Sequence, residues 1–446
     1  MERDIGNQLA EFAVRTKYED IPKEVVEFTK YLVLKTVAGT LVGAITPSGR
    51  KMAGVIRDQK HPEEYGVYGS GFKTSMWEAI LLNSYFSHAS ELEDDRFSGG
   101  ACSWDITVIP LLLSLAEKLG ISGKALMEAL VLGLEVHTRT CSFSPQHLGL
   151  VVIPGAVGPA VGGAKALGLG VKETAAAIGI GMSCAPLAMM NAGTDAHFLE
   201  SALMCLQGVM AAEMAKAGLR GNPDITRFLT NYLGKERVVP EKMVEDLGKR
   251  WILREIAIKK YPCCVLLHRY IDSVIELRKQ HNLSLEGVKV IEVHASPGDV
   301  NCNRPDPKDE NDMQFSFQHT LAAAMLRGDV GLKDMSPEAV SDSKLKEGRT
   351  KVNFVLHPEL SSLYLEAPTR VVIKTNDGRE FSRERQYAIG GPEEPLTAEQ
   401  HRGLYYKFTQ GILKEGDISR TADMILNLEK LKNVKELNEV LSTAKK

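Results

Sequence analysis

The segment HASELEDDRFSGG, residues 88–100, places four carboxylates within five residues directly after an apolar run. Carboxylates so close together disfavour one another's ionisation, and a partly buried one can then exchange a proton near pH 7. If the preceding helix continues, His88, Glu91 and Asp95 lie on one face, and Asp94 lies beside Glu91. The segment predicts acid–base chemistry, with an exposed acidic helix end as the alternative.

The same segment could instead bind a divalent cation, because imidazole and carboxylate groups are ligands for Mg²⁺, Mn²⁺ or Fe²⁺. The sequence contains no HExxH motif, no DxDxDG loop and no second histidine four residues after His88. We therefore predict a site without a metal, and keep metal binding as the lesser alternative.

A second group of reactive side chains lies in the segment IAIKKYPCCVLLHRY, where the character of the chain changes. Lys259 or Lys260 could clamp a carboxylate or stabilise an enolate, and His268 could exchange protons. Adjacent cysteines cannot both ligate one metal comfortably, so we interpret the CC pair as packing or cleft lining.

Two further segments carry histidines. AGTDAHFLES offers His197 and Glu200 just before a strongly helical run, and FSFQHTLAAAMLRG places His319 at the start of an Ala-rich helix. A capping or surface histidine is the alternative to a functional one at both positions.

Composition restricts the class of protein. The 446 residues favour two or three domains, and 44% hydrophobic with 25% charged residues is ordinary for a globular protein. The net charge of −3 gives no field that would attract nucleic acid or an anionic membrane. Seven cysteines without paired CxxC spacing, and an acidic N-terminus unlike a signal peptide, predict reduced thiols and a cytoplasmic location.

The pattern of apolar residues changes along the chain. Helical spacing dominates up to about residue 260, and three β-rich runs follow, with NDG as a hairpin turn between the last two. This predicts a mostly α protein with a large helical domain at 1–264, a smaller α+β domain at 265–395 and a helical tail at 396–446. The small-residue stretch at 155–190 lacks GxxxxGK[ST] and predicts close helix packing rather than nucleotide or membrane binding.

Six segments, in the expected order, resemble motifs of the MmgE/PrpD family, which includes 2-methylcitrate dehydratase, cis-aconitate decarboxylase and iminodisuccinate epimerase. They are SHASELEDD, GAVGPAVGGAKALGL, LESALMCLQGVMAAEMAKAGLRG, IKKYPCC, FSFQHTLAAAML and NDGRE with the following GGPEEPLT. The resemblance implies a helical domain completed by the C-terminal tail, a smaller α+β domain, a homodimer, and a cleft between the domains without metal or organic cofactor. Its substrates would be small di- or tricarboxylates.

Several positions depart from the family pattern. Glu91 stands where the family has aspartate, and the His-Pro that normally follows the acidic motif is replaced by GGACSWD. His197 aligns with a family lysine and Glu200 with a histidine, which lowers the positive charge available to a tricarboxylate. His319 falls on a tyrosine position and His147 lies near a family histidine, whereas Lys259 and His268 match.

The expected function is that of a cofactor-independent lyase of the dehydratase or hydratase type, which removes a proton α to a carboxylate. Epimerisation, decarboxylation, metal-dependent hydrolysis and non-catalytic carboxylate binding remain alternatives. The proposed catalytic residues are Glu91, Asp94, Asp95, His197, Lys259, His268 and His319. The proposed substrate-binding residues are His88, Cys102, Ser103, Glu200 and Lys260.

Overall fold

The computed structural model describes residues 4–59, 61–96, 102–141, 155–183, 191 and 194–443, without the side chains of Cys102 and Tyr232. The chain divides into two compact units, one formed by Met1–Ile256 with Thr397–Lys446 and the other by Ala257–Leu396. The first is helical and the second is α+β, so the predicted fold class is confirmed. Residues 257–264, which the sequence pattern assigns to the helical domain, belong to the α+β unit.

The helical unit contains two sets of helices, separated in sequence by the other unit. The first set is α1 (Ile5–Arg15), α2 (Lys23–Ile45), α3 (Pro47–Arg57), α4 (Met76–Ala89), α5 (Asp105–Leu119), α6 (Gly123–Thr140), α7 (Val157–Ala166), α8 (Val171–Gly181), α9 (Asp195–Lys216) and α10 (Ile225–Leu233). The second set is α15 (Ala398–Thr409), α16 (Glu415–Leu426) and α17 (Lys435–Leu441). The helical unit also contains two short hairpins. They are formed by β1 (Tyr65–Val67) with β2 (Phe72–Thr74) and by β3 (Asp95–Arg96) with β4 (Cys102–Ser103).

Local sequence signals set several helix ends. Gly120 follows α5 with φ +62°, a left-handed conformation in which glycine has no Cβ penalty. The Ser122 hydroxyl oxygen then accepts from the Ala125 backbone N–H at 3.3 Å and caps α6. The buried face of α5 therefore ends before Gly120, and the buried face of α6 begins after Ser122.

Close approach of helices depends on small residues. A Cβ added at Gly158 on α7 would lie 2.1 Å from the Cβ of His137 on α6, so only glycine allows this contact. Helices α2 and α9 are long and apolar enough to cross a membrane by length and composition alone. Since 83% and 61% of their apolar windows are buried in the protein, core packing explains their composition equally well.

The α+β unit is built on one sheet with strand order β6-β5-β7-β8. The strands are β5 (Val288–Ala295), β6 (Val352–Leu356), β7 (Thr369–Thr375) and β8 (Glu380–Arg385), and the helices are α11 (His268–His281), α12 (Glu310–Gln314), α13 (Phe317–Arg327) and α14 (Ser343–Thr350). Strand β5 pairs in parallel with β6, and the other two pairings are antiparallel. The predicted NDG turn joins β7 and β8, with Gly378 at φ +87°.

Candidate active site

The acidic segment does not continue the helix that precedes it. Helix α4 ends at Ala89, and Glu91 has φ +51°, a left-handed conformation that is uncommon for residues other than glycine. Asp95 lies on β3 opposite Ser103. The predicted single helix face carrying His88, Glu91 and Asp95 is therefore wrong, because α4 ends before Glu91.

The carboxylates of this segment are buried. Glu91, Glu93, Asp94 and Asp95 are each at most 5% exposed, so the alternative of an exposed acidic helix end is wrong. The Lys35 ammonium nitrogen, on α2, lies 3.7 Å from a carboxylate oxygen of Asp94 and donates to the Leu92 carbonyl at 2.5 Å. A buried cation thus accompanies the buried acids, as charge burial requires.

Asp105, at the start of α5, belongs to the same cluster and was missed by the sequence analysis. Its two oxygens accept from the Asp94 backbone N–H at 3.2 Å and from the Thr36 hydroxyl at 2.7 Å. Burial raises the pKa of Asp105 to about 6, against the opposing effect of these hydrogen bonds. The carboxyl group of Asp105 is therefore mostly protonated below pH 6.

The β3–β4 hairpin positions the end of the acidic segment. The Ser103 hydroxyl donates to Asp95 at 2.8 Å, and the Arg96 guanidinium donates twice to Glu255 at 3.0 and 2.7 Å. The side chain of Cys102 lies outside the described residues, as does His147. The proposed substrate-binding residue Ser103 thus contacts the proposed catalytic residue Asp95.

An imidazole lies beside this hairpin, but it comes from α6 rather than from the position of the missing His-Pro. The ring of His137 meets Trp104 edge to face at a centroid distance of 4.5 Å. Its Nδ1 accepts from the Gly158 backbone N–H at 3.2 Å, and burial lowers the pKa of His137 to about 3. His137 is therefore neutral and carries its proton on Nε2.

Two other imidazoles meet next to the acidic segment. His88 at the end of α4 and His197 in the first turn of α9 are both buried, and their ring centroids lie 4.5 Å apart. The Nδ1 of His197 lies 2.9 Å from Glu200, whose other oxygen accepts from Asn191 at 2.7 Å. The Nδ1 of His88 lies 3.1 Å from the Ser201 hydroxyl. The surface-histidine alternative for His197 is therefore wrong.

Among the described residues, one group has the geometry to hold a metal ion. A ring nitrogen of His88 and one carboxylate oxygen each from Glu91 and Glu93 lie within 4.8 Å of one another. One nitrogen and two oxygen donors would suit Mn²⁺, Fe²⁺ or Zn²⁺. The same spacing also suits proton exchange between an imidazole and the two carboxylates.

The α+β unit holds the proposed lysines. Lys259 is 2% exposed, whereas Lys260 donates to the buried carboxylate of Asp272 at 2.7 Å. Asp272 also accepts from the Tyr261 hydroxyl at 2.8 Å and from the Ile389 backbone N–H at 3.0 Å. Lys260 is thus part of a structural network, and Lys259 is the more deeply buried of the two lysines.

The two proposed histidines of this unit face backbone carbonyls. The Nε2 of His268 lies 3.2 Å from the Cys263 carbonyl, and its ring meets Tyr261 edge to face. The Nε2 of His319 donates to the Asp334 carbonyl at 2.6 Å, while Arg349 lies 3.5 Å from its Nδ1. Burial lowers the pKa of His319 to about 4. His319 is a buried, neutral ring and not a surface histidine.

The mostly helical fold with a smaller α+β part agrees with the family to which the chain can be matched. The MmgE/PrpD N-terminal domain matches residues 7–233, and the MmgE/PrpD C-terminal domain matches residues 261–430. The chain therefore belongs to the MmgE/PrpD family.

Its curated relatives are distant but cover most of the chain. A cis-aconitate decarboxylase-like protein, oryM, of Aspergillus oryzae is 26% identical over 479 residues, covering 99% of this chain and 98% of the relative. Human cis-aconitate decarboxylase is 24% identical over 413 residues, covering 84% and 83%. The Aspergillus terreus cis-aconitate decarboxylase is 24% identical over 479 residues, covering 98% and 96%.

Proposed function

We propose that the protein is an MmgE/PrpD-type lyase that acts on a small carboxylic acid by proton transfer next to a carboxylate, with loss of water as its reaction. The observation that carries the proposal is the buried His197–Glu200 pair, 2.9 Å apart, whose ring lies 4.5 Å from the ring of His88. Adjacent imidazoles whose Nδ1 atoms face side-chain oxygens can remove one proton and deliver another.

The chemistry requires a base, a group that stabilises charge and an acid. A base of the His88–Asp95 segment or His197 removes the proton α to the carboxylate, and the electron pair of the C–H bond passes to the carboxylate as an enolate. The family resemblance implies that Lys259, which matches the lysine of the family motif, supplies the positive charge that stabilises this enolate. The C–O bond then breaks, and the departing hydroxide takes a proton from the acid and leaves as water.

Decarboxylation is the second candidate reaction, and the names of the curated relatives favour it. When CO₂ leaves, the electron pair of the broken C–C bond remains on the substrate and requires the same cationic stabilisation. A protonated imidazole then supplies the proton that replaces CO₂. The two reactions thus use the same groups and differ in the bond that breaks.

One experiment distinguishes these reactions. The protein is incubated in deuterated water with cis-aconitate and a panel of hydroxylated di- and tricarboxylates, with and without a chelator, and followed by NMR. An alkene formed with loss of water supports dehydration, and released CO₂ supports decarboxylation. Deuterium exchange with inversion alone supports an epimerase. Thermal stabilisation by several carboxylates without turnover of any would contradict the lyase and support a carboxylate-binding protein.

We further propose a homodimer, on the basis of the family resemblance alone. Light scattering with size-exclusion chromatography measures this directly, because a dimer has twice the 48.9 kDa mass of the chain. A single species at the mass of one chain at micromolar concentration would contradict it.

A further inference from the structure

Two buried N–H groups lie beside the β3–β4 hairpin. They are the indole Nε1–H of Trp104 and the imidazole Nε2–H of His137, on residues that are 1% and 2% exposed. Among the residues that the structure describes, no oxygen or nitrogen accepts from either group. Buried polar groups in folded proteins are nearly always hydrogen-bonded, so two such donors on adjoining rings indicate an acceptor from outside the chain.

The backbone determines which nitrogen of His137 carries the proton. Its Nδ1 accepts from the Gly158 backbone N–H at 3.2 Å, which requires the lone pair of that nitrogen. The ring has a single proton, since burial lowers the pKa of His137 to about 3, and this proton is therefore on Nε2. Trp104 and His137 thus both offer an N–H that carries no charge near neutral pH.

Contact between the two rings satisfies at most one of these donors. The ring planes of Trp104 and His137 meet at 86°, with centroids 4.5 Å apart. In such an edge-to-face pair, an N–H of the ring that presents its edge could point at the π face of the other ring. The ring that presents its face cannot do the same in return. At least one N–H therefore lacks an acceptor in the part of the chain that the structure describes.

The donors lie next to residues proposed for the site. Trp104 belongs to the segment GGACSWD, which replaces the family's His-Pro. Its neighbour Ser103 donates to Asp95 at 2.8 Å, and its other neighbour, Asp105, accepts from the backbone N–H of Asp94. An oxygen bound by the two donors would therefore lie beside the acidic segment.

We propose that Trp104 and His137 form a subsite for one carboxylate of a small carboxylic acid, with the indole Nε1–H and the imidazole Nε2–H donating to its oxygens. This inference rests on the proposed function and names two binding residues for it. Removal of a proton next to this carboxylate places further negative charge on its oxygens. Donors already directed at those oxygens stabilise that charge without having to reorganise.

The indole signal of Trp104 tests the subsite directly. The chain has three tryptophans, so ¹H–¹⁵N spectra contain three indole signals, and a Trp104→Phe variant identifies one of them. In the ligand-free protein we expect this proton upfield of a hydrogen-bonded one. Titration with cis-aconitate and the panel of hydroxylated di- and tricarboxylates should move it downfield, because a charged acceptor makes a strong hydrogen bond.

Trp251 provides the matched control for this experiment. Its Nε1–H is also buried and without an acceptor among the described residues, and its ring packs against Phe12 of α1. Its indole signal should stay in place throughout the titration. A downfield shift of both signals would indicate a general effect of the acid and not a subsite.

Affinities measure what each donor contributes. Trp104→Phe removes the indole N–H, and His137→Asn keeps an acceptor for Gly158 but removes the Nε2 donor. By calorimetry, each should raise the Kd of the tightest-binding acid of the panel at least about 10-fold, whereas Trp251→Phe should change it less than about twofold. Circular dichroism and thermal unfolding check that the variants are folded, and the wild-type titration needs no variant beyond the one that assigns the signal.

Four results would overturn the subsite. They are a Trp104 indole proton that is already hydrogen-bonded in the ligand-free protein, an indole signal that does not move when an acid is bound, a Kd unchanged in both variants, and binding of no acid in the panel. An acid that binds with the expected shifts but is not turned over would support the subsite and contradict the lyase function.

Discussion

The four histidines proposed for the site face different partners in the two units. In the helical unit, Nδ1 of His88 and Nδ1 of His197 face the side chains of Ser201 and Glu200. In the α+β unit, the Nε2 atoms of His268 and His319 face backbone carbonyls. A neutral carbonyl oxygen accepts one ring N–H and orients the ring. A carboxylate also stabilises the positive charge of a protonated imidazole. Among these four rings, a carboxylate partner that would favour proton transfer is therefore found for His197 of the helical unit.

The largest expected effect is at His197. His197→Gln should lower kcat about 1,000-fold, because a proposed proton-transfer group is lost while the fold is kept. Steady-state kinetics on the substrate found by NMR measure this change. His61→Gln is the matched control, since His61 pairs with Glu78 at 2.7 Å on the exposed surface. Equal rates for the two variants would remove His197 from the mechanism.

Lys259 tests the contribution of the α+β unit. Lys259→Ala should lower kcat at least about 100-fold without loss of fold, because the enolate charge is no longer stabilised. Circular dichroism checks the fold, and Lys279→Ala, on the exposed side of α11, is the control. An unchanged rate would leave the α+β unit without a catalytic lysine.

Asp105 makes the helical unit less stable as the pH rises. Its pKa is about 6 in the folded protein and about 4 when unfolded, so the folded state binds more protons between these values. Relative to the wild type, Asp105→Asn should gain about 2 to 3 kcal/mol of unfolding free energy from pH 4 to pH 7. Denaturant unfolding measures the gain, and Asp58→Asn on the surface should show none. A pH-independent difference would contradict the raised pKa.

His319 should have the smallest effect and the opposite pH dependence. Its lowered pKa, about 4, means that the unfolded chain takes up a proton below pH 6.5 while the folded ring stays neutral. Stability due to this ring is complete above pH 6.5 and is lost as the pH falls towards 4. At neutral pH, His319→Gln should cost about 1 to 2 kcal/mol with kcat unchanged. A large fall in kcat would instead support the catalytic role that the sequence predicts for His319.

Part of the candidate site follows from local sequence. The acidic segment and the lysines are identified by residue type, and His197 with Glu200 has the i, i+3 spacing that brings side chains together on a helix. The pairing of His88 with Ser201 spans 113 residues, and that of Asp105 with Thr36 spans 69. No periodicity predicts these contacts, because they depend on how the helices pack.

The sequence by itself determined the mostly α class, the α+β segment and several element ends, because apolar spacing, glycine and capping residues act over a few neighbouring positions. Only the tertiary structure decided that the acidic segment is buried, that α4 stops at Ala89, and that His88 and His197 meet. The physical reason is the distance along the sequence over which each effect acts. Backbone propensities are local, whereas burial and the proton affinities that follow from it depend on packing between residues distant in sequence.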